Sequence, residues 1–212
     1  EMQDNLYMEV STNRARSNAR AFRQTKERVS AAVFNRATNG SYLWADGKTL
    51  LATDHPTTQG GTFSNKLAVA ADLSEASLED LCIQIMQATD DRGNLINLMP
   101  QSLHVAPANW FEATRILNTT LQVGTSNNDI NAIKALGIFP KGVKMNHYFT
   151  VPKQWFVRTN IAKGTGLNFL QRESMSFERD NDFGTKNALA LGYERYSCGI
   201  VDPRAVYGSE GP

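Results

Sequence analysis

Apolar positions recur with a helical period in the first half of the chain and with an alternating period in the second. Ala15, Ala19, Phe22, Val29 and Val33 sit at alternating steps of four and three, with Lys26 filling one slot. That spacing predicts a helix over Ser11 to Ala37 with a narrow apolar stripe. At 1.5 Å per residue it spans on the order of 40 Å, enough to cross between substructures or run along a subunit edge. Leu78, Leu81, Cys82, Ile85 and Met86 mark the apolar face of a second helix. Ser74 is its expected cap, with Ser77 (Asp80 three residues on) as a competitor, and the stop is expected around Asp90 to Gly93. Leu95 to Val105 reads as a short buried segment and Trp110 to Leu117 as a further helix. A strand set between helices by short loops begins an α/β or α+β domain.

From Ile133 the pattern changes. Val143 to Val151 and Trp155 to Thr159 are rich in aromatic and β-branched residues and predict strands, the first ended by Pro152. Lys163 to Gly166 reads as a turn and Leu167 to Arg179 as short extended pieces. Asp180 to Thr185 is a strong turn, and Asn187 to Val201 is a long final strand with Leu189, Leu191, Tyr193 and Tyr196 as its alternating apolar positions. The two flanks of that turn are expected to pair as an antiparallel hairpin. Between these regions lie loops. Asp54-His55-Pro56, Gly60-Gly61 and Ser64-Asn65 form one turn-rich stretch, Ala45-Asp46-Gly47-Lys48 a tight turn beside Trp44, and Thr119 to Asp129 an exposed polar loop.

Composition narrows the function classes. An apolar share of 41% and a charged share of 20% describe an ordinary globular chain. With 22 basic and 21 acidic side chains, wholesale nucleic-acid binding through net charge is not indicated. The basic residues are nonetheless uneven: Arg14, Arg16, Arg20, Arg23, Lys26, Arg28 and Arg36 face only Glu27 along the first helix. Such a surface gives salt-dependent, nonspecific contact with acidic groups and cannot read bases. No apolar run approaches a membrane span of roughly 18 residues, and no charged-then-apolar leader opens the chain. The expectation is a soluble intracellular product with no membrane partner. Cys82 and Cys198 are expected as buried thiols and not as a disulfide.

The sequence carries no recognisable catalytic pattern. His55, His104 and His147 are isolated in sequence and belong to no zinc-binding spacing. His55 is expected as a loop hydrogen-bonder, and His104 and His147 as semi-buried imidazoles in strands. The stretch from Gly60 to Lys66 lacks the residues a phosphate loop places around its lysine, and Gly164-Thr165-Gly166 has no preceding Rossmann strand. Asp90 with Asp91, and Asp180 with Asp182, fall in turns, where aspartates bond the local backbone. No cofactor, metal ligand or catalytic residue is therefore assigned.

The order acidic-His-Pro, Gly-Gly, Ser-Asn, then Leu73-Ser74-Glu75-Ala76-Ser77-Leu78-Glu79, a helix, a glycine turn, a proline-containing strand and a second helix resembles the major capsid proteins of tailed bacteriophages. More narrowly it is similar to the Mu-like major head subunits of the Hong Kong 97 (HK97) type. The resemblance implies an α+β capsid fold with a long spine helix, a peripheral β-hairpin and a wedge-like axial α/β domain. It divides the chain into a peripheral part over 1–65, an axial domain over 66–155, and return strands over 156–212. It implies a non-enzymatic structural subunit, assembled in the host bacterial cytoplasm into hexamers and pentamers of an icosahedral virion capsid around double-stranded DNA. Portal, scaffold and decoration proteins are the further partners it implies. Expected subunit or DNA contacts are Arg14, Arg20, Arg23 and Arg28, and the expected axial loop residues are Thr125, Asn127 and Asn128. The family also carries an N-terminal arm and an extended loop before the spine helix; these are expected to be absent, disordered or removed here.

Two other readings stay open on sequence alone. One is the shell protein of a cargo-enclosing nanocompartment of the encapsulin kind. The other is a small α+β hydrolase with dispersed catalytic residues and a deep pocket near His55 or His147.

Overall fold

The computed structural model describes residues 7–122, 129–162, 164–185 and 188–211. They form an α+β fold that divides into two compact units. The smaller comprises residues 1–30 with 169–199, and the larger residues 31–168 with 200–212.

The smaller unit is a helix and a hairpin. Helix α1 spans Tyr7–Asn35, its last turns belonging to the larger unit, and strands β6 (Leu167–Asn181) and β7 (Ala188–Ile200) form a two-stranded sheet. At 29 residues α1 is about 43 Å long. Its covered stripe differs from the expected one: Ala19, Phe22, Lys26 and Ser30 are partly covered, while Ala15 and Val29 are exposed. The expected short extended pieces are one 15-residue strand. The apolar alternation of β7 also points the other way. Leu189, Leu191 and Tyr193 are exposed, and the face turned to α1 carries Gly192, Glu194 and Tyr196. Side chains alternate across a strand, so Tyr196 cannot share a face with the three odd-numbered positions.

Tight local geometry holds this unit together. Phe22 meets Phe177 edge-on with ring centroids 5.9 Å apart. A Cβ at Gly192 would stand 2.6 Å from the Phe22 ring, so this close approach of strand to helix needs a glycine. Lys26 pairs with the buried Glu194 carboxylate, and its ammonium lies 5.6 and 5.4 Å from the centroids of Phe169 and Tyr196, which stack on each other. A cation beside two stacked rings and a buried carboxylate is held by charge and by the ring quadrupoles together.

The larger unit centres on a four-stranded sheet in the order β4-β3-β5-β8, built from β3 (Pro100–Val105), β4 (Val143–Met145), β5 (Trp155–Thr159) and β8 (Val206–Ser209). β3 runs parallel to β4 and antiparallel to β5, and β5 is antiparallel to β8. Helices α2 (Glu75–Met86) and α3 (Trp110–Asn118) contribute Leu78, Leu81, Ile85, Ala113 and Ile116 to a core with Leu103, Val105, Trp155, Val157 and Tyr207. A second core cluster joins Ala31, Phe34 and Ala37 to Leu50, Leu51, Phe149, Phe156 and Val206.

Several expectations meet corrections here. α2 begins as expected, with Ser74 capping and Ser77 closing a reciprocal capping box, but it ends at Met86, well before Gly93. Met86 is 41% exposed and stands outside the core. The Asp90 carboxylate bonds the Arg92 and Asn94 backbone N–H groups in the turn that follows. The strand expected over Val143 to Val151 stops at Met145, because Asn146 turns the chain and its side chain accepts from the Tyr148 N–H at 2.8 Å. His147 is therefore exposed in a turn and not semi-buried in a strand. His104 does lie in β3, mostly buried, with Nε2 3.0 Å from the Ser102 hydroxyl and its ring stacked on Phe34. Leu95 is exposed, so the buried segment begins later than expected, at Leu98. Cys82 is buried and Cys198 half-buried, and neither forms a disulfide.

Candidate assembly surfaces

The sequence-predicted contact residues begin on α1. Arg14, Arg20, Arg23 and Arg28 are all exposed. At about 100° per residue, Arg20 and Arg23 stand one turn apart on one flank, and Arg14 and Arg28 lie towards the other. The four arginines cover roughly half the helix circumference instead of lining up in a single row. An arc of this kind presents positive charge to any acidic surface lying along the helix. Thr125, Asn127 and Asn128 lie outside the described residues. The base of their loop is firm: Gln122 N–H donates to the Asp129 carbonyl at 2.8 Å, and Leu121 bridges Ile130. Beneath it the buried Asn131 donates to the Ile116 carbonyl at 2.5 Å and caps the short helix α4 (Ala132–Ala135) by accepting from the Lys134 N–H.

The structure adds a node that sequence reasoning assigned only to local loop bonding. His55 is completely buried in β1 (His55–Pro56), which pairs with β2 (Thr62–Phe63). Its Nδ1 is 2.5 Å from the Asp46 carboxylate, and its Nε2 faces the Leu50 carbonyl and Asn65 Oδ1, each at 3.2 Å. Asn65, also fully buried, donates to the Leu50, Pro203 and Val206 carbonyls and accepts from the Ala52 N–H. Desolvation opposes ionisation of Asp46, but the bonds from His55 and from the Lys48 backbone hold its pKa below the usual carboxylate value. On its other side the His55 ring stacks on Phe63, and the Arg204 guanidinium covers Phe63 3.9 Å from the ring centroid. Arg204 is bonded in turn to Asp91 at 2.7 Å.

A hydrolase would need this histidine to reach a substrate. It cannot, because every polar atom of the His55 ring is taken by a neighbour in a site closed to solvent. A groove of roughly 360 Å³ between β2 and α2 is lined by Thr62, Asp80, Ile83 and Gln84 among others, and no histidine lines it. Among the described residues no group of His, Cys, Asp and Glu could hold a metal ion, and no helix is long and apolar enough to cross a membrane. Cys82 is no nucleophile, since burial pushes its thiol up to about 12.

The fold is that of an α+β protein whose buried polar groups serve architecture and whose exposed features, among the described residues, include a basic helix and a long hairpin. The chain belongs to the phage capsid protein family, whose model matches residues 2–209. Membership places it in the virion capsid with a structural, non-enzymatic role. Comparison with curated proteins gives no match. Among solved structures it is similar to a virus-like particle from Pyrococcus furiosus, with 16% identity and a TM-score of 0.42, covering 68% of this chain and 55% of that one. The chain thus spans little more than half the length of that relative.

Proposed function

We propose that this chain is the shell subunit of a phage head of the Hong Kong 97 type, assembling into hexamers and pentamers of an icosahedral capsid around double-stranded DNA. The observation that carries the reading is the family match over residues 2–209. In this reading the wedge-like axial domain is built around residues 66–155, with the loop holding Thr125, Asn127 and Asn128 directed to the centre of the ring. The long helix and the hairpin supply the peripheral edges, and Arg14, Arg20, Arg23 and Arg28 meet acidic surfaces of neighbouring subunits or packaged DNA. Portal, scaffold and decoration proteins complete the particle.

Physically, such an assembly needs little from each contact. Interfaces that close by rotation into rings repeat over many copies, so stability becomes collective and concentration-dependent. The test is the particle mass of the full-length gene product at physiological salt, by light scattering with negative-stain images. Uniform shells of megadalton mass are expected. A full-length product that stays a monomer or dimer at every concentration overturns the reading.

A further inference from the structure

The outward face of the β6–β7 hairpin has a charge pattern that one copy leaves frustrated and a second copy completes. Its register follows from the bond at the base and from the length of the strands. At the base, the Val201 N–H donates to the Gly166 carbonyl at 3.1 Å. Nearer the tip, a Cβ at Gly192 would lie 3.1 Å from the Phe177 ring, the diagonal neighbour of its partner in that same register. An unbroken antiparallel ladder between them sets Arg172 opposite Arg195, Ser174 opposite Tyr193, Ser176 opposite Leu191 and Glu178 opposite Leu189. Phe169, Phe177, Gly192, Glu194 and Tyr196 occupy the face that meets α1. By alternation the other set points away from the helix, and Leu189, Leu191 and Tyr193 are 54, 60 and 44% exposed.

Three zones follow one another along this outward face: two arginines side by side near the base, an apolar middle of Tyr193, Leu191 and Leu189, and the carboxylates of Glu178 and Asp180 towards the tip. Like charges directly opposite each other on a sheet are unfavourable within one chain. A copy turned end for end removes the conflict. Packed face to face, it sets its acidic zone on Arg172 and Arg195, its apolar zone on the apolar zone, and its arginines on the first copy's Glu178. A two-fold contact is self-complementary in this way by construction.

We propose that two copies of this chain pair through the outward faces of their hairpins, antiparallel, with Arg172 and Arg195 of one copy on the acidic zone of the other. This contact deepens the shell reading and rests on it for its place in a particle, but it makes its own prediction in solution.

The experiment measures mass by light scattering for the wild type, Arg172→Glu, Glu178→Arg and the double reversal, each as full chain. Arg172→Glu puts a carboxylate beside Arg195, so the hairpin itself is relieved of its like-charge pair while the contact between copies loses its arginine. Far-ultraviolet circular dichroism and melting confirm that each variant folds. At least a tenfold rise in the concentration needed for association is expected for either single variant, and recovery towards wild type for the double reversal.

Single variants that assemble like a shell-forming wild type overturn the pairing and leave the shell reading standing. Single variants that lose association without recovery in the double reversal also overturn it. A wild type that stops at a dimer, split by Arg172→Glu and restored by the double reversal, supports the pairing and counts against the shell. Monomers throughout overturn both.

Discussion

At the scale of single residues, the most consequential side chain is Asn65. It satisfies three carbonyls and one N–H, tying the loop after α1 to the closing segment at Pro203 and Val206. Asn65→Ala removes the amide from the Pro203 and Val206 carbonyls and the Ala52 N–H and leaves the Leu50 carbonyl to His55 alone, and a loss of roughly 2–4 kcal/mol is expected, read as a lower urea midpoint with unchanged slope. A change under 0.5 kcal/mol would mean that water replaces the amide without penalty. His55→Ala is expected to destabilise through the same node, with no turnover to lose. The sequence showed His55 as a hydrogen-bonder because proline and glycine make the surrounding loop obvious. It could not show Asn65 as the hub, since two of its partners lie 138 and 141 residues further along the chain.

At the scale of elements, the helix–hairpin unit depends on a strand that comes very close to a helix. Gly192→Val places branched carbon where the Phe22 and Phe177 rings stand, and neither ring can withdraw without losing its edge-on contact. Faster amide exchange along residues 12–30 and 169–199 is expected, with β3 and β5 unchanged; uniform acceleration everywhere would show that the two units unfold as one. The elements of this unit were legible as a helix and a hairpin, but their faces were not. Leu189, Leu191 and Tyr193 look like a core stripe by hydropathy. The covered stripe is instead Gly192, Glu194 and Tyr196, of which the sequence reading names only Tyr196, since a glycine and a glutamate carry no apolar signal. Hydrophobic pattern identifies a face only when the chain buries it alone, and an apolar face left exposed misleads it. α2 was read more accurately, because its cap and its core-facing stripe lie in one short window that a single unit buries.

At the scale of the whole molecule, acid should loosen the larger unit through His104. Burial, then the charges of Arg158 and Lys144, disfavour the imidazolium and bring its pKa down to about 4 from the ordinary 6.5. Between those values the unfolded chain holds a proton that the folded chain refuses. Stability contributed by the neutral ring is therefore complete above pH 6.5, declines as the pH falls, and is gone below about 4. The full loss corresponds to roughly 3 kcal/mol, a large share of a domain's usual margin. Asp46 acts in the same direction, since its pKa is also depressed, but its window opens only as the pH approaches the carboxylate range and closes below it. The two are thus separable by where the slope begins. Urea midpoints should drop steadily from pH 6.5 to 4.5 in the wild type, while His104→Gln, which cannot titrate, should be nearly flat over that interval and steepen only below it. Equal slopes in the two proteins would show that the ring does not set the acid limit. Because the His104 ring stacks on Phe34, at the end of α1 within the larger unit, the same protonation should loosen the second core cluster before the strands of the central sheet separate.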